Sequence, residues 1–273
     1  MTAFEPLRPD LCFVKLGGSL ITEKDKPHTP RPNVIARLAA EIASVRQNRP
    51  DLRIVLGHGS GSFGHIPARK YATRQGVQSA EGWQGFAEVW REASQLNRLV
   101  MDALAQAGLP SVAFPPSASV WAEDGKIKDW NLQPLEAALQ SGLLPVVFGD
   151  VVFDSQRGGT ILSTEDLFMH LAKMLRPARM VLAGIEPGVW ADYPACTQYF
   201  SEITPDRLES IRKSLGGSSA VDVTGGMLSK VTQSLVMAAA LPGLDILVFT
   251  GEKAGNLAGA LEGQNLGTRI WSP

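Results

Sequence analysis

Leu11-Cys12-Phe13-Val14-Lys15-Leu16, running straight into Gly17-Gly18-Ser19, is the stretch on which the fold turns. Lys15 apart, the first six residues are apolar or nearly so, with no polar alternation. A half-exposed strand alternates, whereas a strand buried on both faces of a parallel sheet does not, so this run reads as a covered parallel strand. It ends in two glycines. Glycine lets a backbone come close to a ligand with its N–H groups pointing outward, and Lys15 adds a full positive charge beside them. The turn reads either as an anion site or as a tight strand-to-loop connection with a surface lysine.

The same apolar pattern recurs in Arg53–Leu56, Ser111–Phe114, Pro145–Phe148, Arg179–Ala183 and Asp245–Thr250. Between these runs lie segments of helical period. Val34, Ile35, Leu38, Ile42 and Val45 mark a helix over Asn33–Val45 with Asn33 as its N-cap; Val89, Ala93, Leu96, Val100 and Leu104 mark another over Ala87–Ala107. Strands alternating with helices predict a three-layer α/β/α sandwich with a mainly parallel central sheet. Asp150–Ser163 departs from the pattern, reading as an antiparallel hairpin around Gln156-Arg157-Gly158-Gly159. A single domain over 1–273 is expected, with a lobe boundary near 176/177, where Pro177 ends a helical pattern.

Composition narrows the classes of function. The 273 residues carry 26 Lys+Arg against 27 Asp+Glu, so no basic surface points to nucleic acid. Two cysteines, Cys12 and Cys196, argue against a disulfide scaffold or a thiolate zinc site. No apolar run approaches the ~20 residues of a membrane span, and Met1–Asp10 lacks a signal-peptide core. A cytoplasmic protein without nucleic-acid or membrane partners is expected.

Two further glycine turns shift the balance toward phosphate. Gly57-His58-Gly59-Ser60-Gly61-Ser62-Phe63-Gly64-His65 follows the second strand with four glycines in nine residues. It is not a Walker A loop, and no acidic residue sits where a dinucleotide fold holds the ribose. Asp222-Val223-Thr224-Gly225-Gly226-Met227-Leu228-Ser229-Lys230 precedes an apolar helix over Val231–Leu241, so Lys230 lies about one turn in from a helix N-terminus. Three glycine turns, two of them with a lysine, point to more than one phosphate group.

These elements resemble the amino acid kinase family, in its isopentenyl phosphate kinase branch. The matching pieces are Lys15–Ser19 with the following Leu20-Ile21-Thr22-Glu23-Lys24, then Gly59–His65, Gly149-Asp150-Val151-Val152 and Asp222–Lys230, in the family's order and spacing. The Ser-Phe-Gly-His ending is the specific element, because in the phosphate-accepting branch that histidine holds the acceptor phosphate. The resemblance implies an N-terminal acceptor-binding lobe, about 1–176, and a C-terminal nucleotide-binding lobe, about 177–273. It implies transfer of the ATP γ-phosphate to isopentenyl phosphate, yielding isopentenyl diphosphate and ADP in isoprenoid precursor synthesis, with Mg²⁺ and a homodimer. Two segments depart from the family. Gly184-Ile185-Glu186-Pro187-Gly188-Val189-Trp190 stands where Asp-x-Asp-Gly-Val-Tyr is common, and Ser163-Thr164-Glu165-Asp166 where Ser-Gly-Asp is usual. No metal ligand is assigned.

With the resemblance, Lys15 and Lys230 are expected on the β/γ-phosphates of ATP, with Gly17, Gly18, Ser19, Gly61 and Gly226 giving close backbone approach. Lys24 is the candidate stabiliser of the transferring group, or else a solvated charge in Glu23-Lys24-Asp25-Lys26. His65 should donate to the acceptor phosphate, with Ser60 and Gly149 alongside; otherwise it is a loop histidine satisfied by backbone. His58 reads as structural. Asp150 either orders a lysine or Mg²⁺ or is a strand-end turn residue. Trp83, Phe86, Val89 and Trp90 lie at near-helical spacing, and most such stripes are core; beside a phosphate site, Trp83, Phe86 and Trp90 would wall a pocket for the prenyl tail. A kinase of fosfomycin or another small phosphonate, and a non-catalytic nucleotide sensor or storage protein, are the competing readings.

Overall fold

The computed structural model describes residues 6–23, 25–208 and 226–272. Its strands are β1 (Arg8–Leu16), β2 (Arg53–His58), β3 (Ser111–Ala113), β4 (Val120–Glu123), β5 (Lys126–Trp130), β6 (Leu144–Phe148), β7 (Asp150–Asp154), β8 (Gly158–Leu162), β9 (Pro177–Gly184), β10 (Glu202–Ile203), β11 (Asp245–Thr250) and β12 (Gly267–Ile270). Eight of them form one sheet in the order β10-β12-β11-β9-β1-β2-β6-β3. Every neighbouring pair in it is parallel except β11 with β12. The expected mainly parallel α/β/α sandwich is the fold observed, and the sheet runs unbroken through Pro177.

The apolar pattern of β1 explains the three layers. Successive residues of a strand point to opposite faces. Leu11 and Phe13 enter one buried cluster with Phe168 and Leu171 of the helix Thr164–Leu175, and the Phe13 and Phe168 ring centroids are 5.0 Å apart. Cys12, Val14 and Leu16 enter the other, with Leu38 and Ile42 of the helix Pro32–Asn48. Lys15 therefore shares the face of Phe13, which turns it toward the N-terminus of the helix Thr164–Leu175.

The hairpin forms as β7 and β8, with the turn at Ser155–Arg157 and Gly158 already in the strand at φ +74°. It belongs to a second sheet in the order β5-β4-β7-β8, which the sequence reading did not foresee. The overlooked signal was Asp124-Gly125 between β4 and β5, both in the left-handed region at φ 49° and 74°, the geometry of a tight two-residue hairpin turn. The helix expected over Asn33–Val45 begins at Pro32 with Arg31 as N-cap, so Asn33 is not the cap but lies in the first turn. Proline's fixed φ and missing N–H suit that first position.

Candidate active site

The site lies at the carboxyl ends of β1, β2, β6 and β9, where the chain crosses from β1 to β2 on one side of the sheet and from β9 to β11 on the other. Open parallel sheets place their ligand crevice there. The cleft has a volume of about 780 Å³ and is lined by Lys15, Gly17, Gly18, Ser19, Ser60, Gly61, His65, Gly149 and Lys230, among others. Nine residues singled out from four separate sequence segments thus share one cavity. Gly226 opens the helix Gly226–Ala240, which brings Met227 and Lys230 to the cleft. Lys24 and residues 222–225 of the third glycine turn lie outside the described residues.

The glycines act first on one another. A Cβ on Gly18 would lie 2.4 Å from the Gly61 nitrogen, and a Cβ on Gly59 would lie 2.9 Å from the Gly18 nitrogen. The turns after β1 and β2 are therefore packed backbone to backbone. Gly61 also takes φ +52°, the left-handed conformation that costs most residues energy. Thr22 ties the two turns together: its hydroxyl donates to Gly18 O at 2.8 Å and accepts from Ser62 N at 2.9 Å. Gly57, paired with Lys15 in the sheet, admits Thr164 and Phe168, which would lie 2.6 and 2.7 Å from a Cβ there.

Helices Gly61–Lys70, Thr164–Leu175 and Gly226–Ala240 all begin at the cleft, so their N-terminal N–H groups and dipoles favour a bound anion. Ser163 caps the second of these in a reciprocal box with Asp166, whose carboxylate accepts from Ser163 N at 2.8 Å and from Arg74 at 3.3 Å. That geometry takes Asp166 out of play and leaves Glu165 facing the cleft. Glu165 is ion-paired with Lys15. Burial alone would raise its pKa, but the Lys15 charge and hydrogen bond, with the Lys230 charge, hold it below the ordinary carboxylate value. Glu165 is the residue the motif comparison missed; the Ser-x-x-Asp capping signature was the available clue.

Several expected placements change. Trp83, Phe86 and Trp90 do not line the cleft. Trp83 and Phe86 pack with Phe153 of β7, at centroid distances of 5.9 and 5.1 Å, and Trp90 is exposed. The helix Ala80–Gln106 instead turns Val89 and Ala93, one turn apart, to the cavity beside Ala68 and Ile161. Phe86 backs that apolar end from within the same buried cluster. Asp150 is not among the residues lining the cleft. It is fully buried, its Oδ1 accepts from Val151 N at 2.8 Å, its Oδ2 has no hydrogen-bond partner among the described residues, and burial pushes its pKa up to about 6. His58 is buried with Nε2 3.1 Å from Asn97 Oδ1 and its ring stacked on Phe148, which suits a structural histidine. Arg69 and Arg74 add cations that no motif flagged.

Ile185, Glu186, Trp190, Tyr193 and Cys196 also line the cleft. Trp190 Nε1 donates to Glu186 at 2.8 Å, fixing the indole at the rim. Among the described residues no helix is long and apolar enough to cross a membrane. No group of three or more His, Cys, Asp or Glu side chains among them is arranged to hold a metal ion.

Comparison with known proteins places this geometry. The model of the amino acid kinase family matches residues 10–249. The isopentenyl phosphate kinase of Methanothermobacter thermautotrophicus is 34% identical over 271 residues, covering 95% of this chain and 98% of that protein. The isopentenyl phosphate kinase of Haloferax volcanii is 36% identical over 233 residues, covering 84% and 89%. A solved isopentenyl phosphate kinase structure superposes with a TM-score of 0.80 at 30% identity, covering 95% of this chain and 99% of that one.

Proposed function

The chain belongs to the amino acid kinase family, and from that membership we propose that it transfers the γ-phosphate of ATP to isopentenyl phosphate, giving isopentenyl diphosphate and ADP. One observation carries the reading: Lys15 and Lys230, suited to donor phosphates, and His65, suited to an acceptor phosphate, line the same cleft, which continues into an apolar end. A phosphate monoester has a second pKa of about 6 and is already largely a dianion at neutral pH, so the attacking oxygen needs no general base. The barrier is the approach of two anions and the charge on the transferring group. Alignment and fixed positive charge address both.

In this reading Lys15 and Lys230 hold the β/γ-phosphates, and the N–H groups at Gly17, Gly18, Ser19, Gly61 and Gly226 close around them. His65 donates to the acceptor phosphate with Ser60 and Gly149 beside it, and Lys24 serves the transferring group. The acceptor lobe is about 1–176 and the nucleotide lobe about 177–273, although Lys15 and Glu165 reach the donor side from the first. Mg²⁺ enters with ATP. It commonly binds through phosphates and retained waters rather than an all-protein cage, and it would offset phosphate charge. With Glu165 paired to Lys15, its ligands would be phosphate and water. A homodimer and a cytoplasmic location complete the reading, drawn from the family and from composition.

Ala68, Val89, Ala93 and Ile161 are assigned to the hydrocarbon tail. Ala93→Phe should lower kcat/KM for isopentenyl phosphate by about tenfold and act more severely on a ten-carbon monophosphate, because overfilling a packed pocket costs about 1–3 kcal/mol. Trp90→Ala should leave the chain-length preference alone, as Trp90 stands outside the cavity. The function itself is tested by following ADP release with isopentenyl phosphate, dimethylallyl phosphate and fosfomycin in parallel. Release with isopentenyl phosphate is expected to be fastest. Release with fosfomycin alone would move the assignment to the phosphonate kinase, and ATP binding without turnover would leave a nucleotide sensor.

A further inference from the structure

Glu92 is a buried carboxylate that phosphoryl transfer does not use. It sits on the helix Ala80–Gln106 between the cavity-lining Val89 and Ala93, only 5% exposed. One of its oxygens lies 3.4 Å from His28 Nε2; the other is buried without a hydrogen-bond partner among the described residues. A carboxylate in such a place costs free energy unless it is paired, so its one contact needs a reason.

His28 belongs to the excursion between Thr22 and Pro30, which pair across a single bridge at its base. Within it, Asp25 and Pro27 line the cleft. The excursion is held at one end. His28 N donates to Ser62 O and Thr29 N to Ser62 Oγ, both at 3.3 Å, and the His28 ring meets Phe63 edge-on at 5.7 Å. His28 is also held at φ +49°, a left-handed conformation that costs most residues energy and persists only where the surroundings enforce it. Ser62 and Phe63 begin the helix that carries His65. The imidazole–carboxylate contact therefore connects three things: the Asp25–Thr29 wall, the helix bearing His65, and the helix bearing the apolar lining.

We propose that Glu92 is a positioning residue: through His28 it latches the segment Asp25–Thr29 as the wall of the cleft's acceptor end. The ionisable neighbours of Glu92 are His28, Glu88 and Arg91, and of these His28 alone comes from another element. The latch rests on the acceptor assignment made above, so its test has one arm that does not depend on turnover. Two variants are compared with the parent enzyme. His28→Gly removes the imidazole while suiting the left-handed backbone; Glu92→Leu removes the carboxylate while keeping an apolar fill.

In both variants hydrogen exchange across residues 25–30 should rise about tenfold, since the protecting bonds to Ser62 lose their anchor. The KM for isopentenyl phosphate should rise about tenfold while that for ATP stays within about twofold, and Glu92→Gln, which still accepts a hydrogen bond, should restore most of the loss. Unchanged exchange in His28→Gly, or ATP and acceptor constants moving together, would overturn the latch. If the parent enzyme shows no turnover of isopentenyl phosphate, the acceptor assignment fails, and the exchange arm alone still decides whether Glu92 anchors the segment.

Discussion

Lys15→Met is expected to reduce kcat by about 10²–10³, the loss typical of removing one group that stabilises transition-state charge. The reason lies in what Lys15 faces. Period-two alternation along β1 puts it on the side of Phe13, and one turn before Phe168 the helix Thr164–Leu175 presents Glu165 to its ammonium. The ion pair fixes a long side chain that would otherwise sample many rotamers, so its charge is already aimed when nucleotide arrives. Methionine fills the same space without the charge and leaves Glu165 in the cleft beside Lys230 alone, where the carboxylate would repel phosphate. Nucleotide binding should survive in part, because the helix N-termini and backbone N–H groups remain. Measuring ATP affinity by calorimetry alongside single-turnover rates separates the two effects. A variant that lost binding but kept its chemical rate would show that Lys15 is a tether and not a transition-state group.

Gly18→Ala is expected to be nearly as damaging through a different cause. The added methyl would sit 2.4 Å from the Gly61 nitrogen and 2.6 Å from its Cα, backbone atoms that no side-chain rotation can clear. The turns after β1 and β2 must then separate, at a cost of roughly 1–3 kcal/mol and several degrees in Tm. An ångström of displacement between donor and acceptor groups is enough to lose about 10²-fold in rate. Gly184→Ala is the control. Gly184 lines the same cleft, but the nearest atom to its added Cβ is Glu186 N at 4.0 Å, so its Tm and rate should hold. Thermal unfolding and turnover of both variants check the contrast. Equal loss in the two would mean that the turns need flexibility and not close packing.

The fold was legible where burial is two-sided. Runs such as Leu11–Leu16 and Pro145–Phe148 are strands covered on both faces, which leaves no ambiguity of period, while Ser111–Ala113 forms a strand at the sheet edge with Val112 exposed. Where burial is partial, the sequence was ambiguous. β4 and β5 carry Trp121, Glu123, Lys126 and Lys128 in a short, half-exposed ribbon, and only the Asp124-Gly125 turn marks it. The site was legible as a set of glycine turns and lysines, since close backbone approach and fixed charge allow few substitutes. The aromatic stripe misled for a physical reason. Helix periodicity shows which residues share a face but not what covers that face, and β7 and β8 come over Trp83 and Phe86 before the cavity begins. Glu165 went unmarked because its role depends on Asp166 being spent on the helix cap, which spacing in sequence does not reveal.

The claim beneath the rest is that two anions meet in one cleft, lysines on the donor and an imidazole on the acceptor. Steady-state kinetics of His65→Ala with each substrate varied in turn tests it most directly. The account predicts a fall of about 10²-fold in kcat/KM for isopentenyl phosphate with the KM for ATP nearly unchanged, as loss of a charge-assisted hydrogen bond to one partner requires. An unchanged kcat/KM for isopentenyl phosphate, or a loss confined to ATP, would contradict it.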